Sequence, residues 1–364
     1  MRRTYNPPLV FVVKPPLIPI NEDYKWRLLS EILNIFDLRS TKQIISQYEI
    51  LPLEKSIPSL KIVILSMYFC LEISYIVREL EEKKKLRKFM RITSVPSENE
   101  IYSIMSSFDP EQFINFVIGL LNNVCSRRKR GLSYIIIDST DINLDLNWFK
   151  RKISKKMLED REFKWGHSKH RGYFIGMKLS LAMEYPSLKP LAFIVNEANV
   201  SEYTVYPQIL EELKRRKKIR PGDVLYFDKG YFSYENYVIG IAKYKIVPII
   251  FPRINCNYNK LFDILSYPLN IFDSKRNTEE EKKIYKRLVT KFKVLMENWG
   301  GLKPIRSLIE DVFKLAKKTC NMENLHRYTM RSVKKYCSLA VFLTGAITAF
   351  FISDKKGLQR LAES

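Results

Sequence analysis

Tyr134, Ile135, Ile136 and Ile137 run without a polar break into Asp138, and this constrains the fold of the chain more than any other segment. Four aromatic or β-branched residues in a row suit a strand buried on both faces. A carboxylate delivered by such a strand must lie at the sheet's edge, pair with a cation, or bind metal. Taken alone, Asp138 with Ser139 and Thr140 also reads as the start of a turn. A second segment repeats the form: Val224, Leu225, Tyr226 and Phe227 lead to Asp228, and Lys229, Gly230 and Tyr231 turn the chain.

The 364 residues are enough for two or three domains, and the 46% hydrophobic content is that of a globular chain. Lys and Arg number 62 against 39 Asp and Glu, a net charge of +23, which favours a polyanionic partner, nucleic acid ahead of an anionic membrane. A thermophile surface usually raises Glu along with Lys, which this chain does not do. Cys70, Cys125, Cys256, Cys320 and Cys337 are scattered and form no C-x-x-C pair, so neither a disulfide framework nor a zinc site is expected, and a reducing cytosol fits. The N-terminus meets Pro7 and Pro8 before any long apolar run, unlike a secretory signal. Residues 336–352 are uncharged but include Ser338, Thr344, Gly345 and Thr348; they read as a buried helix rather than a membrane span.

Pro7, Pro8, Pro15, Pro16 and Pro19 make residues 1–23 an extended arm. From 24 to 130 the pattern is helical: Leu28, Leu29, Ile32, Leu33 and Phe36 repeat at helix spacing, Ser97 and Glu100 form a capping box, and Asp109 precedes Pro110 as an N-cap. This predicts an all-helical N-terminal domain of a kind that binds DNA, although no helix-turn-helix pattern is sharp enough to name a recognition helix. Arg127, Arg128, Lys129 and Arg130 form a basic run that reads either as a solvated linker or as a phosphate grip. Residues 144–172 interleave Lys and Arg with Trp148, Phe149, Phe163 and Trp165, a mixture suited to DNA backbone and splayed bases. His167 and His170 lack nearby cysteines and read as hydrogen-bonding or phosphate-contacting groups rather than zinc ligands.

Residues 174–184 and 188–195 predict an antiparallel hairpin, 206–218 a helix, and 244–251 a strand closed by Pro252 and Arg253. Strands, a helix and further strands indicate an α/β domain with a mixed sheet. Residues 254–298 read as charged and irregular. No G-x-G-x-x-G, Walker loop or G-x-S-x-G occurs, so nucleotide-dependent and serine-hydrolase chemistry have no support. Over 304–320, Ile305, Ile309, Val312, Ala316 and Cys320 make one buried helical stripe. Arg306, Glu310 and Lys317 fall within about 40° of one another along its border, either as an ordinary surface ion pair or as a site set against the core.

Asp138 after its strand, Asp228 before Lys229, Gly230 and Tyr231, and Arg306, Glu310 and Lys317 on a late helix together resemble the DDE transposases of prokaryotic insertion sequences, over roughly residues 60–350. Lys164, Trp165 and Gly166 ahead of Gly176, Met177 and Lys178 add to the resemblance, as do Val247 to Arg253. It implies a ribonuclease-H-like mixed sheet flanked by helices, spanning 131–353 with 254–298 as an insertion and 354–364 as a tail. It implies that Asp138, Asp228 and Glu310 bind two divalent ions, Mg2+ or Mn2+. Arg306 and Lys317 would then hold DNA phosphates, with Lys303, Lys229, Trp165 and Arg253 as further DNA contacts. The family motif usually carries Tyr three residues before the Arg, where this chain has Lys303, and many relatives have His-Asp where this chain has Ser201 and Glu202.

The implied activity is binding of terminal repeats, cleavage and joining of the 3′-hydroxyl to target DNA, by a cytoplasmic protein that acts as a homodimer on double-stranded DNA and needs no membrane. A nuclease or resolvase on the same core, and a transposase-derived DNA-binding protein without catalysis, are the alternatives.

Overall fold

The computed structural model describes residues 17, 24–47, 53–124, 134–145, 163–168, 172–252, 256–266, 279–320, 322, 325, 327 and 329–351. Most of the expected arm, the basic run at 127–130 and much of 144–172 lie outside them. Seven α-helices are described before the first strand: α1 (Tyr24–Asn34), α2 (Arg39–Ser46), α3 (Leu53–Phe69), α4 (Ile73–Glu82), α5 (Lys84–Met90), α6 (Glu98–Ser107) and α7 (Pro110–Val124). The two predicted caps form. Ser97 N–H donates to Glu100 Oε2 at 3.0 Å while Glu100 N–H donates back to Ser97 Oγ at 3.3 Å. Asp109 Oδ2 accepts from the Glu111 and Gln112 amides.

The remaining elements are β1 (Tyr134–Asn143), β2 (Lys164–Ser168), β3 (Gly172–Tyr185), β4 (Lys189–Glu197), α8 (Glu202–Arg215), β5 (Val224–Phe227), α9 (Tyr234–Ala242), β6 (Val247–Ile250), α10 (Tyr258–Ser266), α11 (Glu279–Glu297), α12 (Lys303–Thr319) and α13 (Met330–Phe351). The six strands form one mixed sheet in the order β2-β3-β1-β5-β6, with β4 also paired to β3. The pairs β1/β3, β2/β3 and β3/β4 are antiparallel, and β1/β5 and β5/β6 are parallel. Ile135, Ile136 and Ile137 are fully buried, each worth about 1.5–3 kcal/mol against exposure, which anchors β1 at the centre.

Three expectations need correction. First, β1 does not stop at Asp138. The long β3 supplies partners from Tyr134↔Tyr185 to Asn143↔Gly176, so the strand continues through the polar residues. On its other side β5 ends at Phe227, opposite Ile137, and Asp138 therefore lies just past the end of its parallel neighbour. Second, the described residues of 254–298, namely 256–266 and 279–298, are largely helical rather than irregular. Leu261 and Leu265 on the short α10, and Tyr285, Leu288, Val289, Phe292 and Met296 on α11, are buried at helical spacing, which in α11 the dense Lys and Glu composition disguises. Third, the helix expected from Tyr206 begins at Glu202 and carries Pro207 inside it. Burial of Val205, Tyr206, Ile209, Leu210 and Leu213 outweighs the broken backbone bond.

The helical N-terminal part and the sheet share one hydrophobic core. α13 joins them, packing against α1, α3 and α7 on one side and β4 on another, with Phe36 and Phe342 edge to face at 5.6 Å. Residues 336–349, within α13, are thus largely buried helix, as expected. Among the described residues no single helix is long and apolar enough to cross a membrane; α3 and α4 pass by length and composition only as a pair bent by 114°, and α3 is largely core. Cys70, Cys256, Cys320 and Cys337 are free thiols.

Candidate active site

Parallel pairing of β1 with β5 sets Asp138 and Asp228 side by side at one end of the short strand. α12 packs on β1 and lays Arg306 and Glu310 over them. Arg306 Nη2 donates to Asp138 Oδ2 at 3.3 Å, and its Nη1 lies 3.0 Å from Glu310 Oε1. Its Nε is 3.3 Å from Asp228 Oδ1, close enough for charge attraction but not aligned for a hydrogen bond. The three acids expected to act together therefore converge on one guanidinium.

The surrounding polar network holds the two aspartates in place. Ser139 N–H donates to Asp138 Oδ1 at 2.8 Å, leaving Oδ2 to face Arg306. Ser139 Oγ shares a 2.7 Å hydrogen bond with Ser180 Oγ on β3 and another of 2.7 Å with the hydroxyl of Tyr231. Tyr231 belongs to the single 3₁₀ turn after Asp228, and its N–H donates to the Asp228 carbonyl at 3.1 Å. One buried tyrosine thus ties the loop carrying one acid to the residue beside the other.

Asp138 is only 6% exposed. Burial first, and then the neighbouring Asp228, push its carboxyl from the ordinary 3.8 up to about 7, against the opposing pull of Arg306 and the Ser139 amide. A carboxyl raised in the folded state stabilises the fold below its unfolded value and loses that contribution as pH rises through the folded value. In chelator, the melting temperature should accordingly fall between about pH 4 and 7, and Asp138→Asn should flatten this slope. A slope unchanged by the substitution would count against the buried placement of Asp138.

Glu202 is a site residue that the sequence reading did not select; its signal was the departure at Ser201 and Glu202. It stands on the first turn of α8, where burial raises its pKa, with Asp228 and Asp141 acting in the same direction and Lys178 against it. Lys178 Nζ lies 3.8 Å from Glu202 Oε1 and donates to the Val200 carbonyl at 3.4 Å.

The other expected DNA contacts are more dispersed. Lys317 is half-buried two turns beyond Glu310 on α12, and Lys229 is exposed directly after Asp228. Trp165 on β2 is half-buried and packs against the core, so much of its ring surface is already covered. Lys303 opens α12, but its side chain lies outside the described residues, as does all of Arg253.

A mixed sheet flanked by helices, with Asp138 and Asp228 just past the β1/β5 pairing and Glu310 on a late helix, is consistent with a ribonuclease-H-like fold. The transposase DDE domain family matches residues 129–344, and the chain belongs to that family. Its function is accordingly of the transposase type, and members of the family generally use divalent metals. Comparison with curated proteins gives no match. The donor set here fits such ions, since carboxylate oxygens are the hard ligands that Mg2+ and Mn2+ prefer. As placed, no three His, Cys, Asp or Glu side chains among the described residues are grouped to hold one ion. The guanidinium of Arg306 lies between the acids instead.

Proposed function

We propose that this transposase binds the terminal repeats of its mobile element, cleaves DNA there and joins the 3′-hydroxyl to target DNA. The observation that carries the reading is the convergence of Asp138, Asp228 and Glu310 on a single cation. These three carboxylates would hold two divalent ions, Mg2+ or Mn2+, which when bound activate the attacking oxygen and stabilise the leaving one. Asp138 must give up its proton to serve as a ligand, so metal affinity rises with pH through about 7. Arg306 would leave the acids for a DNA phosphate, a bidentate partner suited to its planar fork. Lys317, Lys229, Lys303 and Arg253 would add phosphate contacts, and the remaining exposed part of Trp165 a base or sugar contact.

In this reading residues 24–130 are the DNA-binding part, 131–353 the catalytic domain, and the protein works in the cytoplasm on DNA, without a membrane. Synapsis of two element ends calls for a homodimer on DNA.

The test is whether inverted repeats flank the gene and, on a DNA fragment carrying them, whether the protein cuts. Cleavage should require Mg2+ or Mn2+ and cease in chelator. Binding, driven by counterion release from a chain of net charge +23, should weaken by about 10³-fold or more between about 50 and 200 mM salt. Salt-insensitive binding, or cleavage that persists in chelator, would overturn the proposal.

A further inference from the structure

We propose that Glu202 is a positioning residue for Asp228: its carboxylate seats the turn that follows Asp228 against Gly230, while Lys178 holds that carboxylate to β3. The inference rests on the metal-binding role proposed for Asp228 and adds a fourth acid that supports it. A Cβ at Gly230 would fall on Glu202 Oε2 and lie 2.7 Å from Glu202 Cδ. Among the described glycines only Gly172 and Gly222 have a left-handed backbone, so Gly230 is needed for space rather than for its dihedral angles. The glutamate carboxylate thus rests on the backbone of the Lys229–Tyr231 turn.

Two further contacts join the same pieces. Asn236 Nδ2 donates to the Tyr203 carbonyl at 3.1 Å and to the Tyr231 carbonyl at 2.8 Å, bridging the residue after Glu202 to the end of the Asp228 turn. On the other side Lys178, cross-strand from Asp141, pairs with Glu202 and donates to the carbonyl of Val200. A glutamate in the first turn of a helix is also favoured by the helix dipole alone. That bland role predicts no dependence on Gly230 and no effect on metal binding.

The test is a cycle of Gly230→Ala, Glu202→Ala and the double variant, with Glu202→Gln alongside, on the full chain free of DNA. Mn2+ affinity and melting temperature are both measured. Supporting groups behind a metal ligand typically change affinity by about 10–100-fold, and a loss in that range is expected for Glu202→Gln and for Gly230→Ala. With Glu202 cut to alanine, the added Cβ meets the residue's own Cβ at an ordinary 3.4 Å, so Gly230→Ala should cost almost nothing further. Equal penalties for Gly230→Ala in both backgrounds, or Mn2+ affinity of Glu202→Gln within about twofold of the parent, would overturn the inference. Should the parent chain fail to bind Mn2+ at all, the metal reading itself fails, and the melting temperatures of the cycle still decide whether Glu202 seats the turn.

Discussion

Replacing Arg306 with glutamine should tighten Mn2+ binding to the DNA-free protein by about tenfold or more while sharply reducing DNA cleavage. The guanidinium lies between 3.0 and 3.3 Å from an oxygen of each of three carboxylates, so metal ions and Arg306 compete for the same negative charge. At an effective dielectric constant near 20, one such contact amounts to roughly 4 kcal/mol before desolvation, ample for a tenfold effect after compensation. The same variant removes the cation beside the buried Asp138, whose carboxyl must then stay protonated or stand as an unpaired buried charge, so the loss of stability grows as pH rises. Its melting temperature should therefore drop in chelator, drop less at a pH low enough to protonate Asp138, and recover on addition of Mn2+. Arg306→Lys keeps the charge but not the fork and should fall between the two. Mn2+ affinity unchanged by Arg306→Gln would mean that the guanidinium does not occupy the metals' place.

This behaviour follows from an arrangement that only part of the sequence discloses. Asp138 and Asp228 are legible because each ends an apolar strand run, and Arg306 and Glu310 because they border the buried stripe of α12. From the residues alone, however, the ion pair on α12 reads as well on a surface; its three-way contact depends on β1, β5 and α12 meeting across 168 positions of chain between Asp138 and Arg306. Asp138 was expected at a strand end, yet it is in mid-strand, because β3 continues to pair where β5 has stopped. That difference is non-local and invisible in a window of ten residues. α11 is hidden by charge density, its apolar stripe being narrower than the polar surface around it, and α10 by its length of nine residues. Glu202 is hidden because the helix read from Tyr206 in fact begins at Glu202, which places that residue in the first turn of α8.

The second large effect concerns the acids themselves. Asp138→Asn, Asp228→Asn and Glu310→Gln each preserve shape and remove one ligand charge, so the ions should be lost or misplaced. Metals contribute several kcal/mol of transition-state stabilisation, which at tenfold per 1.36 kcal/mol makes the loss about 10³-fold or greater. DNA binding should persist or tighten, because negative charge near the phosphates has gone. Glu310 is 47% exposed, so its amide leaves folding nearly untouched and isolates the chemistry. The structure also selects the control. Asp223 is fully buried and accepts from the Arg220 amide, and Asp141 acts on Glu202, so neither is neutral. Asp311, 70% exposed and paired only loosely with Lys314 at 3.4 Å, adjoins Glu310 without facing the site.

The most direct test of the carboxylate site is the rate of Mg2+-dependent cleavage of repeat-bearing DNA by Glu310→Gln and by Asp311→Asn, measured side by side on protein that still binds the fragment. Cleavage should collapse by about 10³-fold for Glu310→Gln and stay near the parent rate for Asp311→Asn. Near-native cleavage by Glu310→Gln, with loss in Asp311→Asn, would contradict the register of α12 and with it the roles of Arg306 and Lys317.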